Sequence, residues 1–530
     1  MDDSEKIPAH ELYVVSDLHI GRGKNPETGR FYELEAFFYD EDFRSFCVYL
    51  CEDASRRGVD FKLILNGDVF DLLRIDRDVG QRAAASSSSM GAAGSISAAG
   101  TTLRGRRFGP VMTPDASATA MLEITEGHPV FIDALAGVLL AGHEVVFLPG
   151  NHDLELQWAR VQAVIRDAVE RRARRRADEP RARAACSRMS FQPWFYYEPG
   201  RVWIEHGCQY DPENAFRYLL RGELDDQEDR MFRAEQDMPL GNFFQRYLYN
   251  AFGHITFIVP STRANLRYFK WLVLNKPHLL LRVFVSHSRF WFQVIRRLAK
   301  PGLEVRKRMR ECHERALARL AIDSGLGATL ITIEALKATR TDLYQAIRSL
   351  GWQALRVFIA AVLIALFAFG LWFAGFHGIN QLRGGFVFKA SLFLMLDFLF
   401  LLAAMAGIAY AVMRSATEPS SRPLRKSARK IAELLDVPLV CFGHTHEEVL
   451  WRLNGGRGRP KPSSWYFNTG TWIAVFTHDE LVPRDRVQYT YLHVHGREAD
   501  LLHWSPGRNA PVPVILLDER EPDAGPSMPR

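Results

Sequence analysis

The chain has 530 residues, 47% of them hydrophobic, and a formal net charge of +6. That length supports two to four domains, or one domain with large insertions, around a real core. The six cysteines (47, 51, 186, 208, 312 and 441) are scattered with no CxxC pair, which excludes a disulfide framework and a thiolate zinc site and fits a reducing compartment.

The charge excess suits a membrane surface, phosphates or nucleic acid, and the total does not choose between them. The N-terminus, Met1-Asp-Asp-Ser-Glu-Lys6, lacks an apolar h-region, so no secretory signal peptide is expected. Glu11–Val15 is an apolar run ending in Ser16-Asp17-Leu18-His19-Ile20-Gly21. It reads as a strand followed by a functional loop. Residues 33–57 have a helical pattern and lead to a second strand, Phe61–Leu65, which ends in Asn66-Gly67-Asp68-Val69-Phe70-Asp71. Strand, polar loop, helix, strand predicts a mostly parallel α/β sheet.

Residues 80–119 interrupt this rhythm with Ala, Ser, Gly and Thr. They have too little apolar bulk to offset ordering entropy, which predicts a disordered insertion. A helix near Met121 precedes the strand Glu144–Leu148, which delivers Pro149-Gly150-Asn151-His152-Asp153. Asn151 or Asp153 could simply cap the next helix; the carboxyl end of a strand is also where α/β folds bind ligands. Leu154–Arg176 is predicted helical. Arg171, Arg172, Arg174, Arg175, Arg176, Arg181 and Arg183 cluster at its end and read as a solvated surface, with an anionic-surface contact as the alternative. Arg201–Glu205 is the next strand, followed by His206.

From 213 to 430 the pattern is helical and aromatic-rich. Between Met238 and Leu303 there is no Asp or Glu, while ten Lys or Arg occur, among them Arg246, Arg263, Lys270 and Arg296. Basic and aromatic residues without acids predict a membrane-proximal element over 213–350 that lies on an anionic leaflet. Val357–Phe376 has no charge and Ala390–Met413 has only Asp397. Each is long enough to span a bilayer. Lys337, Arg340, Arg348 and Arg356 precede the first span and Arg414, Arg422, Arg425, Lys426, Arg429 and Lys430 follow the second. The flanks, and with them the α/β domain, are therefore expected in the cytoplasm. Asp397 would cost about 2.5–3.5 kcal/mol at a span centre, so it is expected to face the partner helix or another subunit.

The sheet resumes at Pro438–Phe442, which ends in Gly443-His444-Thr445-His446. Trp465–Phe467 leads into Asn468-Thr-Gly-Thr-Trp472, and Gln488–His495 is a further strand. Residues 518–530 read as a frayed tail. His493 and His495 read as a strand face, and Cys208 and Cys441 as packing thiols.

Five strand ends thus carry Asp17 and His19, Asp68 and Asp71, Asn151 and His152, His206, and His444 and His446. In an extended segment, residues two apart project the same way, so Asp17/His19 and His444/His446 can each aim two donors into one pocket. Mixed imidazole and carboxylate donors suit Mn, Fe, Zn or Co, with manganese the first expectation. There are too many for one ion; two ions bridged by a carboxylate would use them.

The set SDLHIG, NGDVFD, PGNHD, EHG and FGHTH, in this order, resembles the calcineurin-like metallophosphoesterases. The resemblance covers 10–212 and 431–517. It implies an α/β/β/α sandwich, split here by the inserted helical module and its two-span hairpin, with a dinuclear metal site at its top. Carried over, it implies that Asp17, His19 and His446 hold one metal and Asn151, His206 and His444 the other. Asp68 bridges, and His152 is the phosphate-contacting acid with Asp71 as its partner. SDLHIG with GDVFD, His206-Gly-Cys-Gln-Tyr-Asp211 and Asn468–Trp472 is most similar to the UDP-2,3-diacylglucosamine pyrophosphohydrolase-like group, which usually has Arg at the position of His152. The expectation is a membrane-anchored phosphohydrolase that cleaves phosphoester or pyrophosphate bonds of a lipid-linked or amphiphilic substrate, with no nucleic-acid partner. The alternatives are a tethered nucleotide phosphodiesterase and a membrane scaffold with a vestigial domain.

Overall fold

The computed structural model describes residues 10–25, 27–75, 113–220, 238–247, 303–340, 369–414, 421–453, 464–477 and 487–514, with a few isolated positions between them. The chain divides into two compact units, Met1–Arg340 with Ser420–Arg530, and Thr341–Pro419.

The first unit is mixed α/β. In its larger sheet, β1 (Glu11–Val15), β2 (Phe61–Asn66), β3 (Glu144–Leu148) and β4 (Met189–Phe191) lie parallel in that order. Beyond β1 come β13 (Thr490–His495), β14 (Glu498–Ser505) and β15 (Ala510–Pro513), all antiparallel. The sheet is therefore mixed, where the sequence predicted mostly parallel. Only Gly496 and Arg497 separate β13 from β14, and so short a loop, with Gly496 at φ 59°, closes a hairpin. The second sheet has the order β5 (Phe195–Glu198), β6 (Val202–Glu205), β8 (Leu439–Phe442), β10 (Ser464–Thr469), β9 (Glu448–Leu453). A small third sheet joins β7 (Phe257–Ile258), β11 (Val475–Thr477) and β12 (Glu480–Leu481).

The pleat of each strand divides its side chains between two cores. Leu12 and Val14 of β1 and Leu439 and Cys441 of β8 meet between the two main sheets. Tyr13 and Val15 turn the other way, against α1 (Asp40–Arg57), α2 (Pro114–Gly127), α3 (Pro129–Leu140), α4 (Ala159–Ala173) and α5 (Glu179–Cys186). Val440 and Phe442 turn toward α7 (Leu303–Asp323), α8 (Ala328–Glu334) and α10 (Ser421–Leu435). The layers run helices, sheet, sheet, helices. All six cysteines are free thiols.

Several boundaries differ from those the sequence predicted. Part of the expected disordered insertion is ordered: Thr113 Oγ1 accepts from Ala116 N at 3.2 Å and Pro114 starts α2. Residues 76–112 lie outside the described ones. The helix expected from 33 begins at Asp40, because the buried Glu35 carboxylate instead accepts from Gly21, Gly23, Ala36 and Phe37 N. Leu154–Gln157 is a 3-10 turn ahead of α4. The arginine run lies on exposed helix ends, with Arg174 against Glu170 and Glu179, and Arg183 against Glu179. The fold does not divide at 212. Leu317, Ala321, Leu330 and Ile333 share a core with Trp203 and Phe442, so α7 and α8 belong to the sandwich. Of the basic residues expected on a leaflet, Arg263 to Lys300 lie outside the described residues, and Arg246 is buried.

In the second unit, residues 369–381 are helical and α9 spans Phe386–Arg414. The two meet where Phe376 and Phe393 ring centroids lie 4.9 Å apart and where Trp372 Nε1 donates to Asp397 Oδ1 at 2.6 Å. Asp397 thus faces the partner helix. Phe367, Phe373, Phe386, Leu394 and Phe398 are exposed. Among the described residues, no helix is long and apolar enough to cross a membrane. The described side chains of α9 end at Leu401, short of the roughly 20 residues a span needs. The two-span hairpin is therefore not supported by the described residues, and most of residues 357–368 lie outside them.

His128 closes the loop after β1 by bridging Glu35 Oε2 (3.3 Å) and Asp40 Oδ2 (3.0 Å). Burial opposes its charge, but the Glu35 and Asp40 carboxylates prevail and raise it to about 10. Burial likewise opposes ionisation of Glu35, but His128 and the backbone donors hold it below the usual carboxylate range. The His128 contribution is complete below about pH 6.5 and lost as pH rises toward 10; that of Glu35 is complete above about pH 4.5 and lost in acid. We predict that His128→Gln costs about 3–5 kcal/mol at pH 6, and that the difference from the parent narrows toward pH 10. Urea unfolding across pH will check this; a constant difference would contradict it.

Candidate metal centre

All nine residues singled out from the sequence lie at the ends of β1, β2, β3, β6 and β8 and are buried. Among the described residues, eight non-glycine residues have positive φ, and five of them are Asp17, His19, Asp68, His444 and His446. Asp17 and His19 converge because both are left-handed, and not because the segment is extended as the spacing suggested. The loops after β1 and β2 are zipped together: Asp17 N donates to Gly67 O (3.1 Å), His19 N to Asp68 O (2.9 Å) and Asp71 N to Ile20 O (2.9 Å). Thr471 Oγ1 donates to Asp17 O at 2.7 Å, which gives the Asn468–Trp472 motif a structural task.

The donors form three overlapping groups, Asp17/His19/His446, His19/Asp68/His152 and Asp68/His206/His444; within each, the ligand atoms lie within 4.8 Å of one another. His19 and His446 Nε2 are 3.0 Å apart. Asp17 Oδ1 makes no hydrogen bond of good geometry although it is fully buried; it faces His446 Nε2 at 3.2 Å and His19 Nε2 at 3.9 Å. Asp68 Oδ2 lies 3.3 Å from His206 Nε2 and 3.9 Å from His19 Nε2, between the outer groups. Asn151 Oδ1 lies 3.3 Å from His206 Nε2. A buried, underbonded carboxylate oxygen amid imidazole nitrogens is a donor set that fits divalent metal ions. These clusters can hold metal.

The imidazoles are oriented from behind, as metal-binding histidines usually are. His206 Nδ1 donates to Asn66 O at 3.0 Å, and His444 Nε2 faces Asp211 Oδ2 at 3.0 Å. Asp71 serves two rings, His152 Nδ1 at 3.0 Å and His19 Nδ1 at 3.4 Å, and also accepts from Leu73 and Arg74 N. Burial holds His19 down at about 4 despite Asp71, keeping it in the neutral form that binds metal. His152 is raised to about 9, since the Asp71 and Asp68 carboxylates outweigh burial. His206 is raised to about 10 by Asp68 and Asp17, again against burial.

Sequence reasoning missed Asp153. It caps no helix; its carboxylate accepts from Asp68 N (3.2 Å), Val69 N (2.8 Å), Phe70 N (3.2 Å) and Gly150 N (2.6 Å). Burial and then the neighbouring Asp68 raise it to about 7. Also missed were Asn214 and Asn242, for which no local motif gave a signal. His493 and His495 do lie on a strand face; with Asp500 their donors also lie within 4.8 Å, but His493 is already held by Glu11 at 2.9 Å and stacked on Tyr13. Cys208 and Cys441 are buried, and burial pushes both thiols up.

No family model matches this chain, and no curated protein matches it.

Asp153→Ala leaves four backbone donors facing a void. At about 1–3 kcal/mol per stranded group, we predict a loss of at least about 3 kcal/mol in urea unfolding, together with weaker Mn²⁺ binding. Gly150→Ala should cost metal affinity too, because its Cβ would fall 2.2 Å from Asp68 Oδ1. Calorimetric titration with Mn²⁺ measures both; parental affinity in both variants would refute the clamp.

Proposed function

We propose that the chain is a dinuclear-metal phosphohydrolase of the calcineurin-like type, anchored to a membrane, that cleaves a phosphoester or pyrophosphate bond of an amphiphilic substrate. The observation that carries it is the shared use of Asp68 by two of the three overlapping buried groups, with Asp17 Oδ1 left underbonded beside two imidazoles. Asp17, His19 and His446 would hold one ion, Asn151, His206 and His444 the other, with Asp68 between them. Manganese fits this mixed nitrogen and oxygen set. Such ions polarise a phosphoryl group and supply a water nucleophile at neutral pH.

The protein's own part is positioning and proton transfer. Asp71 fixes the His152 ring through Nδ1 at 3.0 Å, so Nε2 is the nitrogen presented to substrate. Nε2 stands 4.0 Å from Asp68 Oδ2, close enough to protonate a leaving oxygen there. Asp71 also backs His19, so one carboxylate ties the acid to a ligand. An imidazole at this position, in place of the Arg of the most similar group, favours proton donation over bidentate phosphate clamping.

The membrane part rests on the apolar sequence of Val357–Phe376 and Ala390–Met413, on exposed Phe386 and Leu394, and on the hydrogen bond from Trp372 to Asp397. On this reading the hairpin is buried in lipid and the sandwich is cytoplasmic, as the Lys and Arg flanks favour.

The test is a panel of phospholipid, pyrophosphate-lipid and nucleotide substrates on detergent-solubilised full chain with Mn²⁺. Lipid turnover that is lost with EDTA is expected. Equal turnover of soluble nucleotides would replace the lipid substrate with a nucleotide, and metal-bound protein inert on all three would leave only a scaffold. Asp68→Asn should abolish hydrolysis. His152→Ala should lower kcat about 10²–10⁴-fold with Mn²⁺ binding retained. The full chain should also resist extraction by alkaline carbonate; release by carbonate alone would remove the anchor.

A further inference from the structure

The segment between the two parts of the sandwich sends one short helix, α6 (Leu240–Tyr247), back to the metal centre. Leu240 and Phe243 are buried and seat it. Between them, Gly241 and Asn242 make contacts of a more specific kind.

Asn242 is 3% exposed, and both ends of its amide bond to Asn151. Its Oδ1 accepts from Asn151 Nδ2 at 3.0 Å, and its Nδ2 donates to the Asn151 carbonyl at 2.6 Å. An asparagine amide is nearly symmetric in shape, so only its hydrogen bonds decide which end points where. Metals bind the oxygen. By taking the nitrogen of Asn151, Asn242 turns Oδ1 inward, toward His206 Nε2 at 3.3 Å.

Gly241 reaches the opposite ligand. Its N donates to Glu213 O at 2.9 Å, and a Cβ there would fall 2.1 Å from Asn214 Oδ1, so only glycine permits the approach. Asn214 Nδ2 donates to Asp211 Oδ2 at 2.8 Å, and that oxygen faces His444 Nε2 at 3.0 Å. Asn151 and His444 are thus both braced from α6. Asp17 and His19 are braced by Thr471 and Asp71, which belong to the sandwich itself.

We infer that α6 assembles one half of the dinuclear centre, with Asn242 as the positioning residue that presents Asn151 Oδ1 to the second metal ion. This rests on the dinuclear reading given above. It follows that the two ions differ in what holds them: one needs only the sandwich, and the other needs the inserted segment as well.

The test is Mn²⁺ titration of the full chain in detergent by calorimetry, with metal content after desalting. The parent should bind two ions. Asn242→Ala should bind one with parental affinity and the other about 10–100-fold more weakly, the usual effect of losing a ligand's outer partner. Its kcat should fall at limiting Mn²⁺ and recover at saturating Mn²⁺, which a general loss of structure would not allow. Asn242→Asp keeps the acceptor for Asn151 Nδ2 and guards against misfolding of the alanine variant; it should fall between the two. In an Asn151→Ala background, Asn242→Ala should add nothing. Two ions at parental affinity in Asn242→Ala, or additive losses in the double variant, would overturn the inference. A parent that binds fewer than two ions would instead overturn the dinuclear reading beneath it.

Discussion

The constraint on which the rest of the site depends is electrostatic. Asp17, Asp68, Asp71 and Asp153 are all buried in one patch, and a buried carboxylate is costly unless it is paired or hydrogen-bonded. The protein answers unevenly. Asp153 receives four backbone donors, and Asp71 Oδ1 receives the His152 ring and two backbone donors while its Oδ2 only faces His19 Nδ1 at 3.4 Å. Asp68 Oδ1 takes His152 N at 2.7 Å, while its Oδ2 faces only imidazoles. Asp17 Oδ1 is left with less still. The unmet demand is thus concentrated on Asp17 Oδ1, Asp68 Oδ2 and Asp71 Oδ2, oxygens that all look toward ring nitrogens. That is where a cation would relieve the most.

Concentrating the demand requires the backbone to be held in conformations it would not choose. A left-handed non-glycine residue costs of order 1–3 kcal/mol and persists only where its surroundings over-determine it. Here the surroundings are the zipped loops after β1 and β2 and the Asp153 clamp. Close approach does the rest. A Cβ on Gly67 would fall 2.6 Å from the His206 ring, and one on Gly443 would fall 2.7 Å from Asp17 Oδ2. The glycines in NGDVFD and FGHTH are therefore clearance for side chains contributed by other strands.

This explains what could be read in the sequence and what could not. Strands β1, β2, β3, β6 and β8 were legible because each is a short apolar run ended by polar residues, and period and punctuation are local signals. The nine residues that converge there were legible because they sit at those ends. Asp153 was misread because a cap and a clamp look alike in sequence; the difference lies in Asp68, Val69 and Phe70, which are some 80 positions away. Asn242 was invisible for the same reason, compounded by its place in a segment whose composition spoke of membrane. The antiparallel strands β14 and β15 escaped because most of their residues are only half-buried or exposed and blur the apolar pattern.

The second unit poses the inverse of the metal patch. No residue among 369–401 is buried, yet the segment is largely apolar. Among the described residues these two helices pack on each other and leave their outer faces exposed, and a helix that is apolar all round belongs in a core or in lipid. Asp397 sharpens the choice. At a water-facing position a carboxylate is hydrated and needs no partner, whereas in hydrocarbon it must find one inside the pair. Trp372 supplies that partner from the facing helix at 2.6 Å. A partner for the one acid on an apolar helix pair is the physical basis for the lipid proposed around the hairpin.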